Sequence, residues 1–360
     1  MKSAIITFFD SYPPKTGSGI VCSDFFRSWP LKKKKLFQFS KTKLNNKNIK
    51  SISIFKNNSI FKLINLPYLI LVITKYLKNE KQKVIIIEGP SWIFYTFIVV
   101  FFFRVFYRNT FLIYRSHSIE YEIRKKNSNL IISILTKFFE NYVVNKCNIS
   151  TSVSTIEQKK FKKYYNCKTY LFPNSLDIKR LKNIKEKKFK FIPEKFIIFS
   201  GSYDYHPNKI AIDFIINKIL PKIKKKNIKF VLTGNHNKKF NDKDIYNLGF
   251  VSTNKLKYLQ QKSICLMVPI FEGYGTRIKI LESLILGNRI ISTKKGIEGI
   301  EYKNNHNILV CNSLHKMING ILKFSKVKKN TKYNLKMLEN FSMIENSKKL
   351  FKYFNLKNEF

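Results

Sequence analysis

Short apolar runs rich in β-branched residues alternate along this chain with longer stretches in which apolar positions recur at helical spacing. In the first half, Ser3–Phe9, Lys83–Ile87, Phe111–Arg115, Ile149–Val153 and Thr169–Phe172 read as strands. Helices are predicted over 91–106 and 130–146, and a Pro/Gly loop over Pro13–Gly19. A very basic stretch, Lys179–Lys195, interrupts the rhythm, which then restarts. Strands at Lys195–Ser200, Phe230–Thr233, Ser263–Pro269 and Arg289–Ser292 now alternate with helices at Pro207–Leu220, 254–261 and 277–286. The tail from about residue 313 reads as helical. Strands that alternate with helices imply βαβ units and parallel sheets, so the expected fold class is α/β with two domains. The boundaries are read as 1–178, 179–340 and a C-terminal helix, 341–360, packing back on the first domain.

Two runs are more apolar than a half-exposed helix needs. Residues 92–103 are too short for a spanning helix, which takes about 20 apolar residues. Residues 60–77 are broken by Lys62, Asn65, Pro67 and Lys75. Both are expected to be buried helices, with a surface-lying role for one of them as the alternative.

Charge changes the picture. The 360 residues include 68 Lys and Arg against 22 Asp and Glu, a formal net charge of +46. Such a charge favours an anionic partner, an acidic membrane surface among them. The excess is mostly lysine and accompanies many Asn, Ile and Phe, a set that AT-rich codons also produce. The lysines are spread along the whole chain, so no nucleic-acid partner is expected. The five cysteines form no C-x-x-C pair, and neither a metal site nor a disulfide framework is expected. A cytoplasmic location fits, and Ser3–Phe9 follows the first residues with no signal-peptide organisation.

The chemistry concentrates at Glu272-Gly273-Tyr274-Gly275-Thr276-Arg277-Ile278-Lys279-Ile280-Leu281-Glu282. A buried strand runs into a loop with two glycines, and Thr276 can cap the helix that follows. The N-terminus of that helix offers N–H groups and a positive dipole end, to which Arg277 and Lys279 add two cations. Two phosphates suit such a site. Arginine is scarce here, with eight in the chain, so one beside a glycine loop points to a need for its planar fork. Glu282 lies about 9 Å further along the axis, within reach of ribose hydroxyls. An i,i+3 ion pair between Lys279 and Glu282 on a solvated helix is the competing reading. His117 follows the strand Phe111–Arg115 at its carboxyl end, where open α/β sheets bind ligands. His206, His236, His306 and His315 read as loop or surface residues.

The segment Gly273–Glu282 resembles the donor-site motif of the family 4 (group 1) glycosyltransferases with the GT-B fold. Phe199–Asn208, Leu248-Gly249-Phe250-Val251, Ser292-Thr293 and Gly296–Gly299 resemble further motifs of that family in the same order. In the first half, Arg115–Glu122 resembles its "HNIE" segment and Pro173–Asp177 its "PNGVD" turn. The resemblance implies two doubly wound, Rossmann-like domains facing across a cleft, with a nucleoside-diphosphate sugar as donor and a glycan or lipid-linked acceptor. It implies retention at the anomeric carbon, no metal and no cofactor, since the nucleotide sugar is a substrate. Gly17, Gly19, Gly275, Thr276, Arg277 and Lys279 would then serve the diphosphate, Glu282 the ribose and His117 the transferred sugar. Glu272 stands ten positions before Glu282, while position 274, where many relatives carry a glutamate, is Tyr274. Glu272 is the candidate sugar contact. The expected function is sugar transfer to a lipid-linked or surface-polysaccharide acceptor at the inner face of the cytoplasmic membrane. A sugar-nucleotide epimerase and a basic nucleic-acid-binding protein are the alternatives.

Overall fold

The computed structural model describes the chain apart from residues 15, 42–43, 55–58, 90, 184, 186–191, 237, 274–276, 301, 303–305, 328–337 and 359–360. It divides into two compact units, Met1–Leu176 with Ser342–Phe360, and Asp177–Phe341.

The first unit is built on an eight-stranded sheet. Its strands are β1 (Lys2–Thr7), β2 (Lys34–Ser40), β3 (Asn45–Asn46), β4 (Ile49–Ser53), β5 (Lys83–Glu88), β6 (Thr110–Arg115), β7 (Ile149–Ser152) and β8 (Tyr170–Leu171). They lie in the order β3-β4-β2-β1-β5-β6-β7-β8, all pairs parallel except β3 with β4. The helices are α1 (Gly17–Ser28), α2 (Ser59–Ile64), α3 (Leu66–Leu77), α4 (Ile93–Phe106), α5 (Glu120–Asn127), α6 (Leu130–Lys146) and α7 (Thr155–Tyr165). Central strands such as β5 are apolar between their ends, Val84–Ile87 here, because helices cover both faces of the sheet. One face carries α3, α4, α6 and α7 over a core that includes Ile85, Ile87, Leu112, Val99 and Val143. On the other, Trp29 at the end of α1 packs edge-on against Phe351 of the C-terminal helix Met343–Asn358.

The second unit repeats the plan. Its strands are β9 (Phe196–Ser200), β10 (Lys229–Thr233), β11 (Ile245–Asn247), β12 (Leu266–Val268), β13 (Ile290–Ser292) and β14 (Ile308–Val310). They form a parallel sheet in the order β11-β10-β9-β12-β13-β14. The helices are α8 (Ile178–Lys182), α9 (His206–Phe214), α10 (Leu220–Ile223), α11 (Thr253–Lys262), α12 (Ile278–Ile285) and α13 (Leu314–Lys326), with a π turn, Ile215–Ile219, joining α9 to α10.

The α/β class with two doubly wound sheets is as expected. The structure adds β2, β3, β4, β11 and β14, which the apolar pattern does not single out. It also corrects the two apolar runs. α3 and α4 are buried only on their sheet-facing sides, and Ile64, Leu71 and Phe106 stand exposed.

Candidate functional site

Each sheet has one switch point, where the chain reverses its direction of travel across the sheet, and ligands of such folds bind outside the strand ends there. In the second unit the switch lies between β9 and β12. The chain leaving β9 passes through Gly201 into α9, and the chain leaving β12 passes through Gly273 to α12. The Ser292 hydroxyl at the end of β13 donates to the Val268 carbonyl at 3.0 Å, and Thr293 Oγ1 donates to the Ile270 carbonyl, so the β12 exit is braced.

Arg277 is the N-cap residue of α12, and its side chain makes no capping bond. The expected cap Thr276, with Gly275, lies outside the described residues. Lys279 sits in the first turn. Its Nζ donates to Asn208 Oδ1 at 2.9 Å and rests 4.1 Å from the centre of the Phe199 ring. Asn208 Nδ2 in turn donates to the Ser202 carbonyl at 2.9 Å. The sequence pattern did not single out Asn208 as a partner, although it follows the helix-starting Pro207 directly. A side chain at position 201 would clash with this pair: a Cβ there would lie 2.7 Å from Asn208 Nδ2 and 2.8 Å from Lys279 Nζ, at a φ of +150°. Glycine is therefore required. Gly273, at φ +106°, likewise leaves room for Arg277 Nη2.

Burial pushes the Lys279 amine down to about 7, with Arg277 adding in the same direction and Glu282 opposing. Burial also lowers the Arg277 guanidinium, against the pull of Tyr205 and Glu298. Two cations share one desolvated helix start, and Arg277 disfavours the charged form of Lys279. An anion placed between them would relieve both. Glu282 lies on the buried side of α12, one turn beyond Lys279. Glu272 is exposed and pairs with His206 Nε2 at 3.0 Å. His236, read as a surface residue, is instead partly buried and accepts from the Tyr203 N–H at 3.1 Å.

In the first unit the switch lies between β1 and β5. Gln38 of β2 pins the chain leaving β1, its Oε1 accepting from Tyr12 N at 2.8 Å and its Nε2 donating to Tyr12 O at 2.7 Å. Thr16 then caps α1, its hydroxyl accepting from Gly19 N at 3.1 Å. Gly17 and Gly19 thus fall in the first helical turn and not in the loop expected from Pro13–Gly19.

The adjacent strand ends carry Glu88 and His117. The Glu88 carboxylate is fully buried, pairs with Arg115, and lies 2.7 Å from His117 Nε2 and 3.4 Å from the Cys22 sulfur. Arg115 is sandwiched between the rings of Phe25 and Phe172, 3.7 and 4.5 Å from their centres. Burial alone would raise the Glu88 carboxyl, but Arg115, His117 and Cys22 outweigh it and hold it below the usual range. Burial lowers the His117 imidazole, with Glu88 opposing. The ionised Glu88 can only accept, so Nε2 of the neutral ring carries the proton and Nδ1 keeps its lone pair. Sequence reasoning missed Glu88. Its signal was a lone carboxylate ending an apolar parallel strand in an acid-poor chain.

Residues 194–326 match the family described as glycosyl transferases group 1. They form a group 1 glycosyltransferase domain. No curated protein matches the chain. Among solved structures, sucrose-phosphate synthase from Thermosynechococcus elongatus is similar at a TM-score of 0.74 and 11% identity, covering 99% of this chain and 98% of that one. The Anabaena protein HepE, in complex with UDP and glucose, is similar at a TM-score of 0.66 and 12% identity, with 99% of each chain covered. UDP-GlcNAc 2-epimerase from Methanocaldococcus jannaschii is similar at 0.61 and 13%, covering 99% of this chain and 100% of that one. The chain has the GT-B fold, and residues 194–326 carry its group 1 glycosyltransferase domain.

Proposed function

We propose that this glycosyltransferase moves a sugar from a nucleoside-diphosphate sugar to a lipid-linked or cell-surface polysaccharide acceptor, with retention of configuration and without a metal. The observation that carries the donor reading is the placement of Arg277 and Lys279 together at the partly desolvated start of α12, with Lys279 held by Asn208 at 2.9 Å. A diphosphate there would favour the charged forms of both side chains. As the sugar leaves, charge grows on the diphosphate oxygens, and fixed cations with helix N–H groups stabilise it. In this role Arg277, Lys279 and the Gly275–Thr276 segment hold the diphosphate, and Glu282 holds the ribose. The HepE complex with UDP and glucose supports a uridine nucleotide among the donors to be tried.

Metal independence rests on the same cations. The spaced acidic pair Asp242 and Asp244 is engaged elsewhere: Asp244 binds Lys229 at 2.5 Å, and Asp242 accepts from the Asp244 N–H at 2.8 Å. His117, oriented by Glu88, is assigned to the transferred sugar or its phosphate, where its Nδ1 can accept a hydrogen bond from a sugar hydroxyl. Gly17 and Gly19 keep the first turn of α1 free of bulk on the same sheet edge. Glu272, the candidate sugar contact, pairs with His206 in the free protein and would have to leave it to meet a sugar. A lipid-linked acceptor and a water-soluble donor meet at a membrane surface, so the enzyme is placed on the cytoplasmic side, peripheral to the membrane.

The test is a thermal-shift screen of UDP-, GDP- and ADP-sugars, followed by assay of nucleoside diphosphate release with and without acceptor in excess EDTA. One donor should raise the melting temperature, and release should need acceptor and survive EDTA. The likeness to the epimerase favours a second reading, for which turnover would alter the sugar with no acceptor present.

A further inference from the structure

The outer side of the helical layer over the first sheet has the composition of a core and faces solvent. Right-handed crossovers from β4 to β5, β6 and β7 run in one direction across the sheet and put α3, α4 and α6 on the same face. α6 is inverted. Its buried stripe is Ser133, Thr136, Glu140, Val143 and Val144, while Leu130, Ile131 and Phe138 stand 75%, 69% and 60% exposed. A surface helix normally shows the reverse. The patch continues onto α4, since Phe97 packs on both Phe101 and Phe138, with ring centres 6.0 and 6.4 Å apart. Beside it, α2 and α3 expose Ile60, Ile64 and Leu71. Isolated exposed apolar residues need no explanation, but a contiguous group on neighbouring helices does.

Charge identifies what covers it. The segments Ser59–Leu77, Ile93–Phe106 and Leu130–Lys146 contain one acidic residue, Glu140, and it is buried. Exposed cations surround the apolar positions: Lys75 and Lys78 at the end of α3, Arg108 beyond α4, Lys125 just before α6 and Lys137 within it. A second copy of this chain, docked face to face, would set these cations against one another with no exposed carboxylate on the three helices to answer them. An anionic bilayer accepts the apolar side chains among its acyl chains and the cations at its headgroups. The stretch Ser59–Leu77 reaches a mean hydropathy of 1.5, enough by composition to span. Yet Leu66, Leu69, Ile73 and Leu77 are committed to the core, so α3 lies on the surface and does not cross.

We propose that α2, α3, α4 and α6 form a docking face that seats the enzyme on anionic phospholipid, with the exposed side of α6 inserted at the headgroup boundary. This surface is separate from the strand-end sites. It deepens the peripheral placement proposed above and is read without donor or acceptor, so failure here overturns that placement and leaves sugar transfer standing, and failure of transfer leaves this one standing.

The experiment is co-sedimentation of the full chain with phosphatidylcholine vesicles, with and without phosphatidylglycerol. Binding should require the anionic lipid and weaken with salt. Ile131→Glu with Ile134→Glu should cut partitioning about tenfold or more, whereas Val327→Glu, exposed in the second unit, should not change it. Lys125→Gln should cost about fivefold. These positions are exposed, so melting temperatures should hold, and Leu71→Glu gives an independent variant should the α6 pair destabilise the fold. The proposal is overturned by no binding to anionic vesicles, or by binding that neither the α6 pair nor Leu71→Glu reduces. It is equally overturned by a dimer in sedimentation velocity that those substitutions dissociate.

Discussion

Glu88 and Arg115 lie opposite one another in the register of β5 and β6 and form a buried ion pair at the carboxyl ends of both strands. The pair fixes the carboxylate that orients His117. Removing one partner leaves the other charge buried alone, which typically costs about 3–5 kcal/mol. Glu88→Gln should therefore lower the melting temperature of the first unit sharply in the absence of ligand. An unchanged melting curve would mean that the pair contributes little to that unit.

His117→Ala tests the assignment of the ring itself. The imidazole is a small part of the packing and should be removable with little loss of folding. Transfer in a single turnover should fall about 10²-fold or more, the scale for a positioned polar group. Affinity for the free nucleoside diphosphate should stay within a few fold, because that ligand is assigned to residues of α12. Near-normal transfer would make His117 a structural partner of Glu88.

Lys279 gives the pH dependence of donor binding. Its amine is held down to about 7 in the free protein, and a bound diphosphate must raise it. Affinity should be full below pH 7 and decline as pH rises through the interval between the free and bound values. Calorimetry at pH 8 in buffers of different ionisation enthalpy should show proton uptake on nucleotide binding. Proton release, or none, would contradict the placement of Lys279 at the anion.

A second pH effect belongs to the first unit. Glu120 and Glu140 are both raised to about 7 from 4.5, chiefly by burial. Glu140 accepts from the backbone N–H groups of Glu120 and Tyr121 at 2.9 and 3.0 Å and from the Tyr165 hydroxyl at 2.5 Å. Groups raised on folding contribute stability that is complete below their unfolded value and lost as pH climbs through the folded one. Thermal stability should therefore decline between pH 4.5 and about 7, and Glu140→Gln should flatten that decline. An equally steep profile in the variant would assign the effect to other groups.

The apolar central strands could be read from sequence because a buried parallel strand needs an unbroken run, as in Val84–Ile87. β2 was obscured by the Lys32–Lys35 run at its start, and β4, Ile-Lys-Ser-Ile-Ser, is too short to carry a period. The helix at Ile278 could be read from its spaced apolar face. The grouping of Arg277 and Lys279 followed from that, since both sit within one turn. The contacts of Lys279 with Asn208, and of His117 with Glu88, could not be read. Each joins residues that only the parallel register brings together. The two apolar runs were read as buried because periodicity cannot separate a helix apolar on all sides from one wrapped by protein.

The central claim is that the start of α12 holds the donor diphosphate, and calorimetric titration of the best nucleoside diphosphate into the full chain tests it most directly. Arg277→Ala and Lys279→Ala should each weaken binding by about ten- to a hundredfold, the worth of a charge-assisted contact of about 1.5–3 kcal/mol, with the fold intact. Affinity unchanged in both variants would contradict the account.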